Sequence, residues 1–208
     1  MLRTCRAEAF FAAANLNQIA KEKFSDQQST HTLLTGRVKN ITHQNSGIII
    51  SLKNAQGNLF EVLINRGAEP AQLGLNDTIV VAGIEREPLT KFERFFKARN
   101  AGTTRADHCG ILLRAAERAF LKENSGSPIV IAKPLKMESP EHSEIHMVCE
   151  PIHGPKGEIR AFKGANQYTP SLGVPFMAAV TFTNGHQYIT VGDKCKPLTA
   201  DVVPYIFC

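Results

Sequence analysis

The sequence predicts an α+β protein, mostly β: a small five-stranded barrel flanked by helices, followed by a C-terminal antiparallel β-domain. Three observations lead there. Short runs that alternate apolar and polar residues begin at Leu34 and recur, the period of a half-buried strand. Turn residues separate them at Asn54-Ala55-Gln56-Gly57 and Gly74-Leu75-Asn76-Asp77. Asn184-Gly185 stands between two alternating runs, and that pair suits the two positive-φ positions of a type I′ hairpin. The division expected is 1–30 for an N-terminal helix and linker, 31–102 for the barrel, 103–126 for a connecting helix and 127–208 for the C-terminal β-domain.

Ala7 to Phe24 reads as a helix, because Phe10, Phe11, Ala14, Ile19 and Ala20 form an apolar stripe. Ser25 to Thr30 is a polar linker. The barrel strands follow as Leu34–Ile41, Gly47–Lys53, Leu59–Ile64 and Thr78–Ile84, and Lys91–Asn100 is the expected fifth. Arg105 to Glu123 reads as a second helix from Ile111, Leu112, Ala115, Ala119 and Phe120, with Thr103 or Thr104 as its cap. Gly126 suits its left-handed end. The rest reads as strands at Ile129–Ala132, Ile145–Ile152, Glu158–Phe162, Met177–Thr183, His186–Val191 and Val202–Phe207. Lys133 to Glu144, rich in Lys, Pro, Glu and Ser, reads as a mobile connection or insertion.

A chain of 208 residues with 43% hydrophobic and 21% charged residues buries a real core, which excludes a disordered protein. Its net charge of +5 and pI near 9.0 fit a polyanionic partner. No apolar run reaches the roughly 18–20 residues of a membrane span. The five cysteines are scattered and never form CxxC, as expected of reduced thiols in a cytoplasmic protein. A membrane partner is therefore not expected.

The strongest candidate surface is the fifth segment. Between positions 86 and 105, Arg86, Lys91, Arg94, Lys97, Arg99 and Arg105 stand against only Glu87 and Glu93. Cations neutralise phosphates, and exposed rings stack on bases. In a strand, Phe95, Lys97 and Arg99 share one face, while Phe92, Arg94 and Phe96 share the other. Arg37, Lys39, Ser51 and Lys53 alternate outward on the first two strands and flank the same groove.

This stretch, residues 33–100, resembles the OB-fold nucleic-acid-binding superfamily. Its tail, Phe96-Lys97-Ala98-Arg99-Asn100-Ala101, resembles the last strand of cold-shock-type domains. Those domains carry an aromatic, glycine-rich run on the second strand, where this chain has Ile48-Ile49-Ile50. The resemblance therefore implies single-strand binding with Phe60 or Phe95 as the stacking ring. The expected nucleic-acid site is Arg37, Lys39, Lys53, Phe60, Lys91, Arg94, Phe95, Lys97 and Arg99.

Glu141 to Glu150 with His153 forms a second cluster. His142 and His146 would share a helix face and hold zinc there. The alternation of Ile145 and Met147 against His146 and Val148 instead favours a strand, where they lie about 13 Å apart. No CxxC or HExxH frame accompanies them, so no metal is expected. His108 and Cys109 are adjacent and would diverge on a helix. No Gly-x-Ser-x-Gly, P-loop or dinucleotide fingerprint appears, and neither an enzyme nor a cofactor is expected. The reading is a non-enzymatic protein that binds single-stranded DNA or RNA. The alternatives are an assembly subunit that binds a protein partner or itself through the barrel and C-terminal sheet, and a hydrolase or metal enzyme built on His142, His146, Cys149 and His153.

Overall fold

The computed structural model describes residues 1–12, 18, 20–21, 24–27, 31–85, 104–141, 143–151, 154–162, 170–189 and 195–199. Two units emerge: Ala13–Ala115 is one, and Met1–Ala12 joins Ala116–Thr199 in the other. The first strand, β1 (Cys5–Arg6), belongs to the second unit.

The first unit is a closed barrel of β2 (Thr32–Gln44), β3 (Gly47–Lys53), β4 (Leu59–Asn65), β5 (Thr78–Glu85) and β6 (Thr104–Leu113). The order around the barrel is β2-β3-β4-β6-β5. Pairing of β2 with β5 closes it, and β4 runs parallel to β6. Alternation puts Val38, Ile50, Leu52, Val62, Ile64 and Ile79 inside, all fully buried. Gly47 has to be glycine: a Cβ there would lie 2.0 Å from the Ile64 carbonyl oxygen, at φ +143°.

Arg105 to Glu123 is not the single helix expected from its apolar spacing. Thr104–Leu113 is the fifth barrel strand, and only Ala115–Glu123 is helical (α1). Thr104 and Ala106 are buried while Arg105 and Asp107 are exposed, a period of two. Gly110 to Leu113 is then buried on both faces, and a continuous apolar run of that length fits a helix equally well. The expected fifth strand, Lys91–Asn100, lies outside the described residues. Among the described residues no long flanking helix is found. Ala7–Phe10 and Ser25–Gln27 are 3-10 turns, with Gln18, Ala20 and Lys21 helical between them.

Asp77, only 3% exposed, fixes the loop before β5 to the end of β6. Its carboxylate accepts hydrogen bonds from the Gly74 N–H (2.9 Å), the Ala115 N–H (2.8 Å) and Arg114 Nη1 (3.1 Å). Arg114 also donates to the carbonyls of Gln72 and Ala71.

The second unit contains β7 (Pro128–Glu141), β8 (Glu144–Pro151), β9 (Gly157–Phe162), β10 (Phe176–Thr183), β11 (His186–Ile189) and β12 (Cys195–Pro197). The expected antiparallel β-domain is in fact a second barrel. β7 pairs with β10, which closes the ring β7-β8-β9-β11-β10, and β9 runs parallel to β11. The strand order repeats that of the first unit. Asn184 (φ 49°) and Gly185 (φ 75°) form the expected two-residue hairpin between β10 and β11.

Lys133 to Glu144 is not a loose connection, since β7 continues to Glu141. Two register shifts against β8, at Pro134/Lys136 and Glu138/Glu141, accommodate Pro134 and Pro140 within a paired strand. The expected strand at Val202–Phe207 lies outside the described residues.

The N-terminus completes this second core. Leu2 packs among Met147, Cys149, Ile159, Phe176 and Ile189. The buried Gln187 amide accepts from the Leu2 N–H and donates to the Leu2 carbonyl at 2.7 Å. β1 pairs with β7 alongside.

Candidate nucleic-acid interface

On the first barrel, Arg37 and Lys53 lie directly opposite each other on β2 and β3. Like charges in that position oppose strand pairing unless an anion lies between them. Among the described residues neither has an ion pair or side-chain hydrogen bond. Arg37 is half-buried and Lys53 exposed. Ser51 opposes Glu61, which places one carboxylate on the neighbouring strand.

Lys39 departs from the expected alternation. The β2–β3 register shifts between Val38 and Asn40, leaving Lys39 at a bulge. Its Nζ donates to Asn76 Oδ1 at 3.1 Å. Phe60 opposes the buried Leu52 and shares strand parity with Val62 and Ile64. It therefore belongs to the interior side of β4, half-buried, away from the Arg37–Lys53 face. Glu61 between Phe60 and Val62 is the signal in the sequence that would have shown this. Lys91, Arg94, Phe95, Lys97 and Arg99 lie outside the described residues.

Arg105, unlike Arg37, is held by neighbours: its Nε donates to Asn65 Oδ1 at 2.8 Å. Asn65 in turn donates to Asp107, which also pairs with His31 at 3.9 Å. His108 lies against the rings of Phe24 and His31. Its neighbour Cys109 points to the other face of β6.

On the second barrel, His146, Arg160 and Tyr188 form a row across β8, β9 and β11. The Arg160 guanidinium sits 5.9 Å from the Tyr188 ring centroid. Its Nη1 lies 3.3 Å from the Tyr188 hydroxyl and its Nη2 3.2 Å from His186 Nε2. Glu144 offsets its charge at 3.8 Å and also lies 3.3 Å from His146. Phe162 stacks on Tyr188, with centroids 5.5 Å apart and planes 12° from parallel. Phe162 is nevertheless 45% exposed. The sequence hid this group because β9 and β11 are distant in the chain and pair in parallel, which no hairpin signal reveals.

The same strand separates the expected histidine–cysteine cluster. His146 faces outward, while Cys149 faces the core and is completely buried. Burial pushes the Cys149 thiol up to about 12, and burial first, then Cys149 itself, raises Cys195 further still. His142 and His153 lie outside the described residues. Among the described residues no three His, Cys, Asp or Glu side chains converge on a metal position. At the edge of this face, the hydrogen bond between Lys136 and Glu138 raises the lysine and lowers the carboxyl.

No protein-family model and no curated protein matches the chain. Among solved structures, it is similar to an OBody bound to hen egg-white lysozyme, at 17% identity and a TM-score of 0.34, covering 43% of this chain and 88% of that one. It is also similar to a replication protein A heterotrimer bound to ssDNA, at 15% identity and 0.31, covering 45% and 66%. It is similar as well to the p204 HINb domain, at 9% identity and 0.28, covering 81% of this chain and 97% of that one. The strand order, closure and single parallel pair decide the fold. Both barrels are of the OB type. In OB folds the face of strands two and three and the adjoining loops take oligonucleotides and oligosaccharides. Lys53 lies on strand two of the first barrel; Arg160 and Phe162 lie on strand three of the second. Among the described residues no helix is long and apolar enough to cross a membrane.

Proposed function

We propose that the protein binds single-stranded DNA or RNA and catalyses no reaction. The observation that carries this reading is the Arg37–Lys53 pair, two cations opposed across β2 and β3 and in no ion pair with a described residue. A phosphate placed over the pair removes a repulsion on the order of 0.2–1 kcal/mol and gains two charge-assisted hydrogen bonds. Lys39 at its bulge adds a third cation beside this face. Lys91, Arg94, Lys97 and Arg99 extend the charge in the sequence, with Phe95 as a ring among them.

The test is fluorescence anisotropy of a labelled single strand of about 30 nucleotides, since one OB barrel covers roughly 4–16. Binding is expected to weaken steeply between about 50 and 200 mM salt. The double reversal Arg37→Glu/Lys53→Glu should flatten the plot of log K against log salt by about 1.4, two contacts at roughly 0.7 each. A wild-type protein that gives no anisotropy change at low salt ends the proposal.

A further inference from the structure

We infer that Phe162, supported by Tyr188 and Arg160, is a stacking platform for an unpaired nucleobase, an inference that rests on the nucleic-acid reading above. Phe162 has an open ring that its fold has not buried: nearly half of it is solvent-exposed, although Tyr188 already lies stacked and almost parallel against it. A ring fixed in that way presents a flat surface at little further entropic cost, which is what stacking of a planar ligand requires.

Tyr188 is itself fixed, with Arg160 against both its ring and its hydroxyl. Arg160 is positioned in turn by His186 and Glu144. The chain of contacts therefore runs from charged groups inward to an exposed ring at its end. Glu144 offsets the charge of Arg160, and Glu158 lies exposed on the same face of β9. This surface is consequently poor at attracting phosphates. Its chemistry favours the apolar face of a base, with the backbone charge met elsewhere. A sequence-tolerant stack follows, because every base has a π-face.

The chain contains no tryptophan, so Phe162→Trp installs a single reporter that keeps an aromatic ring in place. Oligothymidylate of about 30 nucleotides should quench its emission, and an abasic strand of equal length and charge should leave it unchanged. Phe162→Ser should weaken oligothymidylate binding by roughly 5- to 150-fold, the equivalent of losing one stacked base. Abasic binding should stay at the wild-type value.

The outcomes separate the two claims. If oligothymidylate saturates the anisotropy signal while Trp emission does not move, or if Phe162→Ser binds like wild type, the platform is refuted and single-strand binding stands. If the unmodified protein binds neither strand, single-strand binding fails and the platform falls with it. A thermal melt of each variant within a few degrees of wild type certifies the fold, and Phe162→Leu replaces the serine variant if that one melts early.

Discussion

Replacing Gln187 with methionine tests how the N-terminus holds the second barrel. The side chain is 1% exposed, and both ends of its amide are spent on one residue, the Leu2 N–H and carbonyl, 185 positions away. Methionine is similar in length and unbranched, so the packing volume changes little. What changes is that two backbone groups lose their partners in a buried setting. Each such loss costs about 1–3 kcal/mol, giving a total of about 2–6 kcal/mol. Leu2→Ala attacks the same contact from its apolar side, with Leu2 3% exposed, and should cost about 2–5 kcal/mol by itself. Both substitutions release one segment, so the double variant should lose clearly less than the sum.

Urea denaturation measures the total. Labelling with a thiol-reactive disulfide dye locates it, because Cys149 and Cys195 both lie in the core that Leu2 completes. Faster labelling of these two cysteines in Gln187→Met, at a urea concentration where wild type is still protected, is the expected result. A stability change below about 0.5 kcal/mol, or fully additive single and double variants, would refute the clamp.

Two further outcomes follow from buried groups. Asp77→Ala removes the acceptor for two backbone N–H groups and for Arg114, and should destabilise the first barrel by about 3–5 kcal/mol in a urea titration. A loss under about 1 kcal/mol would show that the loop before β5 does not depend on it. The Cys149 thiol, raised to about 12 by burial, should stay unreactive in the folded protein at pH 8. The unfolded thiol ionises near its ordinary 9.0 while the folded one keeps its proton. Stability should thus decline as pH rises from about 9 toward 12, and Cys149→Ala should weaken that decline.

The local elements were largely legible, and the long-range ones were not. Gly47–Lys53 was read with its observed ends because each outward polar residue is flanked by isoleucine or leucine. The hairpin at Asn184-Gly185 was read because its two positive φ angles demand those residues. The fifth strand of the first barrel is harder to read, since no hairpin signal marks its parallel pairing with β4, and the parallel pairing of β9 with β11 carries no local mark either. That is why Arg105 to Glu123 reads as one helix and why the C-terminal part reads only as an antiparallel β-domain, its closure unspecified. Alternation puts Arg37 and Lys53 on one face, and the register places them opposite each other. Lys39 sits at a register shift, and a bulge changes parity without any mark in the residues themselves. Phe162 and Tyr188 went unnoticed because their stacking exists only once β9 meets β11.

On the proposed reading, the two OB barrels offer a single strand different chemistry. The first barrel's described outer face offers Arg37 and Lys53 in no ion pair with a described residue, beside Leu59 and Ser51, with Glu61 on the neighbouring strand. The second offers an exposed ring, while its arginine is already matched by Glu144. Charge alone gives binding that falls with salt and ignores bases; a ring alone gives base dependence that resists salt. If each barrel supplies one of these, the two properties separate by mutation. Arg37→Glu/Lys53→Glu should change the salt slope and leave the ratio of oligothymidylate to abasic affinity intact. Phe162→Ser should do the reverse. A variant pair in which both properties move together would mean that the charge and the ring serve one undivided site, and the separation argued here would be wrong.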